Sequence, residues 1–424
     1  MPDLNQDRAA SHQPTISPAT AMIKSPGTIH PTVRALGWVS LFSDFASKMV
    51  YPITPLFLTA VLGAPVWTVG FVEGISESTA SLLKLYSGWL SDRTGQRKTF
   101  VVTGYGLGAI SKLGLAIASS WTAVLTVRLL DRVGKGLRAA PRDALIAENC
   151  APHQRGQAYG FHHSLESVGE VLGPLVGFVF LWKYVGNYRG VFVLAFLPAL
   201  VGVLVLLKWV REPGQIQNDG GHRCDSSPAN NHPVSSLKKF TFKGLSPSYR
   251  KYLGVIGLFG LGNSSDAFLL VRSQDLGFSG SRLLLLYAAF NLMSVILSFT
   301  IGRFSDQVGR RPLLVMGYGL FGLVYLGFGF AQSPTLIWIL FMFYGLYTAL
   351  TRGVHKALVA DLVHPSRRGT EIGTFHMLVG LMALPASLLA GFLYTQVSAS
   401  APFYFSAGIA TISAILLWQC RLKA

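Results

Sequence analysis

Gly88-Trp-Leu-Ser-Asp92-Arg93-Thr-Gly95-Gln-Arg97-Lys98 returns far downstream as Gly302-Arg-Phe-Ser-Asp306-Gln-Val-Gly309-Arg310-Arg311. Two more blocks recur at nearly the same offset. Gly104-Tyr105-Gly106-Leu107 reappears as Gly317-Tyr318-Gly319-Leu320. Ala144-Leu-Ile-Ala-Glu148 reappears as Ala357-Leu-Val-Ala-Asp361, each followed by a proline and then Arg-Gly. Three such matches describe an internal duplication, and the first block is in both copies a short polar loop between apolar runs.

Those runs are about 20 residues long, enough to cross ~30 Å of hydrocarbon. Six of them cover 34–61, 66–90, 99–118, 121–146, 155–182 and 189–209; six more cover 251–274, 282–303, 312–331, 334–360, 370–394 and 402–419. Between the sets, 211–249 is polar and holds Pro213, Gly214, Gly220, Gly221, Pro228, Asn230 and Asn231, a linker composition. The expected fold is an all-α membrane protein of twelve transmembrane helices in two six-helix halves. Residues 1–32 are polar and rich in Pro, Ser and Thr, without a signal-peptide pattern, and read as a disordered cytoplasmic tail. The expected units are then 1–32, a bundle over 33–210, a cytoplasmic linker over 211–249 and a bundle over 250–420.

Half of the 424 residues are hydrophobic and only 13% are charged, well under the quarter or so usual in soluble domains. The net charge of +17 would suggest nucleic acid in a soluble protein, but its placement points elsewhere. Lys and Arg crowd the linker and the loops after segments 2, 4, 8 and 10, and are missing after segments 1, 3, 9 and 11. By the positive-inside rule both termini and the linker are cytoplasmic. Cys150, Cys224 and Cys420 have no metal-ligand spacing and fall near that reducing side. Gly104-x-Gly106-x-Gly108 lies in an apolar helix with no preceding strand, and Gly134-Lys135-Gly136 lacks the rest of a phosphate loop, so neither implies ATP. No nucleophile elbow or zinc-protease motif is present. No enzymatic activity, cofactor or nucleic-acid partner is expected; the expected partners are the lipid bilayer, a small solute or metal ion, and a proton or other coupling ion.

The 88–98 block resembles the loop 2–3 signature of the major facilitator superfamily, Gly-x-x-x-Asp-Arg-x-Gly-x-Arg-Lys/Arg. Arg128-Leu-Leu-Asp131-Arg132-Val-Gly-Lys135-Gly-Leu-Arg138-Ala-Ala-Pro-Arg142-Asp143 is similar to a bacterial permease subgroup of that superfamily. Gly169-Glu-Val-Leu-Gly173-Pro174-Leu-Val-Gly177 resembles the helix 5 motif of its antiporters. The resemblance covers about 33–420 and implies two halves related by a pseudo-two-fold axis along the membrane normal, alternating access, and a cavity lined by helices 1, 2, 4 and 5. Gly88, Asp92, Arg93, Gly95, Arg97, Asp306, Arg310 and Arg311 are the expected cytoplasmic gate, a charge latch remade as the halves rock. Gly169, Gly173 and Gly177 share one face of segment 5, where Pro174 bends or locks the helix.

Ionisable side chains inside spans are costly and mark function. Counted at 1.5 Å per residue, Asp44, Glu77, Asp131 and Glu166 each lie roughly 15 Å into their helices. At i, i+4 stand Lys48 to Asp44, Glu73 to Glu77, and Glu170 to Glu166, with His162 four before Glu166. Lys112 or Arg128 are the candidate counter-charges for Glu166. Asp44, Glu73, Glu77, Arg128, Asp131, His162, Glu166, Glu170 and, from the second half, Asp266 are the candidate coupling residues. The stripe His162, Glu166, Glu170 has donors that suit a divalent cation. Members of the resembled subgroup carry a small residue at the position of Glu170 and a basic one at that of His163; these departures favour a cation over an inherited organic substrate. The chain also resembles the magnetosome-associated members of the superfamily. The expectation is thus an ion-coupled antiporter of a bacterial inner or magnetosome membrane carrying iron or another metal, with organic or drug efflux, or a non-transporting sensor or scaffold, as alternatives.

Overall fold

The structure is a computed structural model describing residues 29–150, 154–210, 245–362 and 368–420. The expected tail before residue 29 and most of the expected linker lie outside it, as do the side chains of Asp92 and Asp306. The described residues are helical, with no strand.

The described residues form twelve membrane-length helices that alternate up and down within each half through short connecting segments, most of the long stretch between the halves lying outside the described residues. The first half comprises α1 (Pro31–Val50), α2 (Val66–Thr94), α3 (Arg97–Ile117), α4 (Trp121–Glu148), α5 (Arg155–Lys183) and α6 (Tyr188–Trp209). The second comprises α7 (Pro247–Asp275), α8 (Gly280–Val308), α9 (Arg310–Phe330), α10 (Pro334–Leu362), α11 (Arg368–Gln396) and α12 (Ala401–Gln419). Nine of them are long and apolar enough to cross a bilayer by composition alone; α1, α2 and α4 are not. Those three carry most of the first half's acids and bases, and they face one another across its interior.

Local chemistry explains the irregular stretches. Ahead of α1, His30 Nδ1 accepts the Thr32 N–H at 3.3 Å; burial and neighbouring Arg34 hold its imidazole below the ordinary value, which keeps that nitrogen free to accept. At its other end α1 reaches Pro52 and Pro55, which lack an N–H, and continues as a 3-10 turn (Tyr51–Ile53), one α turn (Thr54–Leu56) and a π turn (Phe57–Val61). Gly95 ends α2 in the left-handed conformation, φ 68°. A break not foreseen in the sequence divides α7 into Pro247–Gly262 and Ala267–Asp275. Its exposed backbone is re-satisfied by hydroxyls: Ser387 Oγ accepts from Ser265 N at 3.3 Å and Ser265 Oγ from Ala267 N at 3.2 Å.

Packing reproduces the duplication. In the first half α1 packs on α5 and α6, α3 on α4 and α6, and α2 on α4; in the second α7 packs on α11 and α12, α9 on α10 and α12, and α8 on α10. Adding six to each helix number of the first set produces the second. The halves meet through α2 with α11 and α5 with α8, two interfaces that exchange under the same two-fold operation. The pseudo-symmetric architecture expected from the repeated blocks is the one observed.

Candidate functional site

Between the halves lies a cavity of about 520 Å³ lined by α1, α2 and α4 and by α7, α8, α9, α10 and α11. Its deep end is buried at Glu73, and its lining becomes exposed at Arg352, Lys356 and His376. These last residues lie toward the basic face, the one that carries the α2–α3 and α8–α9 loops. At the opposite face the halves touch. A Cβ on Gly70 of α2 would stand 2.2 Å from the Ser387 carbonyl oxygen of α11, so only glycine allows that approach. Tyr51 and Ser265 hydroxyls meet at 3.3 Å, and Thr59 Oγ1 donates to Gln274 Oε1 at 3.4 Å. The cavity is therefore open to one side only.

Beside it, the first half holds two charge clusters. In the first, Arg128 donates to Glu73 at 2.6 Å and stands 3.9 Å from Asp131. Lys112 donates to the same Asp131 at 2.7 Å, and Ser111 Oγ at 3.1 Å. Arg132 lies 3.9 Å from Glu73 and 3.8 Å from Glu77. Three carboxylates thus balance three cations, which is how ionised groups are tolerated in a low-dielectric interior. In the second cluster Arg142 donates to Glu166 at 2.8 Å, and His163 Nδ1 lies 3.4 Å from it. Glu170 is held by Lys48 at 3.1 Å and reached from the second half by Arg352 at 3.9 Å.

These partners correct several expectations. Glu166 is paired with Arg142, and the expected Lys112 and Arg128 serve Asp131 and Glu73. Lys48 turns from Asp44, four residues away on its own helix, to Glu170 on α5. Asp44 is left with no cation within 4 Å among the described residues, although Glu166, Glu170, Arg138 and Arg142 all act on it electrostatically. The stripe His162, Glu166, Glu170 does not converge on one point. His162 Nε2 is hydrogen-bonded with Ser40 Oγ at 2.8 Å, while the two glutamates are drawn to separate cations. No group of three His, Cys, Asp or Glu among the described residues is placed to hold a metal ion. His162 Nδ1 and Glu166, one turn apart, come within 3.7 Å, but Glu170 lies eight residues from His162, roughly 12 Å along the helix axis, and each of the three has a nearer protein partner.

In the second half Asp266 sits at the break in α7 and accepts the Tyr344 hydroxyl at 2.6 Å. It does reach the cavity, as do Asn263, Arg352, His355, Lys356 and His376. At the basic face Arg97 pairs with Glu148 at 2.8 Å and Arg310 with Asp361 at 2.6 Å. Each pair ties the start of a half's third helix to the end of its fourth. Arg93 stacks over Trp89 at 5.6 Å, and Arg311 donates to the Leu417 carbonyl at 2.9 Å. On α5 the motif glycines are contact points with α1. A Cβ on Gly169 would lie 2.5 Å from Leu41 O, on Gly173 2.2 Å from Phe45 O, and on Gly177 3.0 Å from Met49 Cγ.

Two groups of site residues went unnoticed in the sequence. One is Arg142, detectable only as a cation of the 128–143 block. The other is a run of rings on the cavity wall: Tyr51 to Tyr287 at 5.7 Å, Tyr287 to Phe290 at 5.4 Å, Phe290 to Tyr344 at 5.3 Å and Tyr344 to Tyr347 at 5.4 Å. In sequence they are indistinguishable from aromatics that face lipid.

A family model described as the Major Facilitator Superfamily matches residues 36–271 and 252–422. The chain is 33% identical over 397 residues to an uncharacterised MFS-type transporter of Methanocaldococcus jannaschii, covering 91% of this chain and 94% of that one. It is 25% identical to the multidrug resistance protein MdtH of Photorhabdus laumondii over 77% of each. Among solved structures, a peptide transporter of the POT type superposes with a TM-score of 0.72 at 13% identity, over 92% of this chain and 94% of that one. The human organic anion transporter TETRAN superposes with a TM-score of 0.64 at 18% identity, over 91% and 99%. At those identities the likeness is one of fold.

Proposed function

The chain belongs to the Major Facilitator Superfamily and is a multi-pass membrane transporter; from that premise we propose that it is an ion-coupled secondary transporter working by alternating access, with both termini cytoplasmic. The observation that supports this most is the cavity at the interface of two pseudo-symmetric halves, open toward the basic face and sealed at the other. Exchange of the equivalent α2–α11 and α5–α8 contacts offers a route to the reverse state, with little change inside either half.

Coupling is assigned to Asp44. Most acids of the first half are held by cations close by, whereas Asp44 sits in the same network without one. A carboxylate so placed can take up or release a proton as access changes, and its charge would redistribute Arg138, Arg142, Glu166 and Glu170 around it. Export of an organic solute is the preferred direction, and the similarity to MdtH favours it. Iron or another metal, the substrate implied by the magnetosome resemblance, has less support, because the candidate ligands are taken up by protein cations.

Anticorrelated access tests the reading. In a chain lacking Cys150, Cys224 and Cys420, Val379→Cys on the cavity wall should label from the basic face, and Phe268→Cys, buried against Gly70 and Gly391 in the closed contact, should not. A short bifunctional thiol reagent joining Thr59→Cys to Gln274→Cys should freeze that pattern, and the uncrosslinked protein should also sample its reverse. Simultaneous labelling of one position from both faces would identify a channel, and a pattern indifferent to the crosslink would refute alternation. Asp44→Asn should keep both states while abolishing their response to a pH gradient; an undiminished response would return the coupling role to another acid.

A further inference from the structure

The charges along the cavity are unequal. Six lining residues are basic, Lys48, Lys84, Arg132, Lys135, Arg352 and Lys356, against the acids Glu73, Glu77 and Asp266. The acids are already engaged, Glu73 by Arg128 at 2.6 Å, Asp266 by Tyr344 at 2.6 Å and Glu77 by Arg132 at 3.8 Å. Several of the bases are not. Lys84, Lys135 and Lys356 have no carboxylate within 4 Å among the described residues; Glu77 acts on Lys135 from farther away. Arg352, whose side chain is 57% exposed, has among the carboxylates of the described residues only the long 3.9 Å contact with Glu170.

Arg352 and Lys356 are four apart on α10 and share a face, and Lys84 approaches the same mouth from α2. Low-dielectric walls focus such an excess of one sign into the opening and raise the local concentration of the opposite charge. A metal ion or an organic cation would enter against this field. A small inorganic anion would satisfy the cations and leave the ring wall of α1, α8 and α10 without a role. The space is that of a drug-sized ligand, since binding pockets run from about 300 to 1,000 Å³.

We infer that the cavity takes an organic anion, with its carboxylate, sulfonate or phosphate on Arg352, Lys356 and Lys84 and its ring or hydrocarbon body along Tyr287, Phe290, Tyr344 and Tyr347. The inference rests on the transporter reading and names its substrate class. It adds a mechanism: an anion on Arg352 replaces the distant Glu170, loosening a contact between the halves.

The test is equilibrium binding to the purified full chain in nanodiscs with charge-reversed pairs of like shape. The pairs are fluorescein with rhodamine 123 and 1-naphthylacetate with 1-naphthylmethylammonium, with Mn²⁺ and inorganic phosphate alongside. Both organic anions should bind saturably and at least tenfold more tightly than their cationic mates. Arg352→Gln and Lys356→Gln should each weaken anion binding about tenfold, equivalent to ~1.4 kcal/mol, and Lys356→Arg should restore it. Cations binding as tightly as the anions would overturn the inference. So would preference for Mn²⁺ or phosphate, no binding by any organic probe, or unchanged affinity in both Gln variants. The two readings fail separately. Anion binding by a protein that does not alternate defeats transport alone, and alternation with cation preference defeats the substrate class alone.

Discussion

Asp131 illustrates how this chain keeps a charge inside a membrane. It is buried, faces Lys112 at 2.7 Å, and takes a further hydrogen bond from Ser111. Removing one partner strands the other, a loss of about 3–5 kcal/mol, whereas apolar replacement of both is often neutral. Asp131→Leu and Lys112→Met should therefore each lower resistance to thermal unfolding in lipid, and the double variant should recover most of it. Two single variants as stable as the parent would mean that the pair is open to water. Position along the helix was legible at this scale, because 1.5 Å per residue converts place in a run into distance along the helix axis. Partnership was not. Asp44 and Lys48 share a face of α1, yet Lys48 reaches across to Glu170, because the relative rotation of α1 and α5 decides which neighbour is nearer.

Among the elements, α5 carries its instruction most openly. Gly169, Gly173 and Gly177 meet Leu41, Phe45 and Met49 of α1 at the same four-residue step, so the two helices run together along a track of small residues. Ala in place of Gly173 would put a methyl 2.2 Å from the Phe45 carbonyl oxygen and force the backbones apart, a loss of about 1–3 kcal/mol by overpacking. Gly160→Ala on the same helix meets nothing within 4 Å and should be neutral or better. Equal melting temperatures for the two variants would contradict this account of the motif. The motif's spacing was readable from sequence because it lies within one helix. The break in α7 was not: glycines such as Gly260 and Gly262 are common in membrane helices, and the hydroxyl that makes the break tolerable, Ser387, comes from α11.

For the whole molecule, the repeated blocks correspond to repeated helix pairings, and the expected topology can be tested directly. With both termini cytoplasmic, an impermeant thiol reagent outside intact cells should label Val185→Cys and Gln332→Cys, both in exposed loops, and spare Gln96→Cys in the exposed α2–α3 loop. Labelling of Gln96→Cys alone would invert the orientation and, with it, the side to which the cavity opens. The charge pairs Arg97–Glu148 and Arg310–Asp361 extend the symmetry to the basic face, each bracing its own half. Bracing within a half is what rigid-body rocking requires. The contacts that must exchange are those between halves.

The sequence by itself determined the number of spans, their division into two copies, the side expected to carry the positive loops, and the presence of many charges within the spans. Each of these depends on hydrocarbon thickness, helical rise or composition, which act along the chain and so can be read along it. Tertiary structure alone decided which acid meets which base, that the His162 stripe does not converge, that Asp44 stands apart, and that the cavity is basic with an aromatic wall. Such outcomes depend on the rotation, tilt and separation of helices distant in sequence. Close packing sets those quantities through many small contacts at once, and no local period records them.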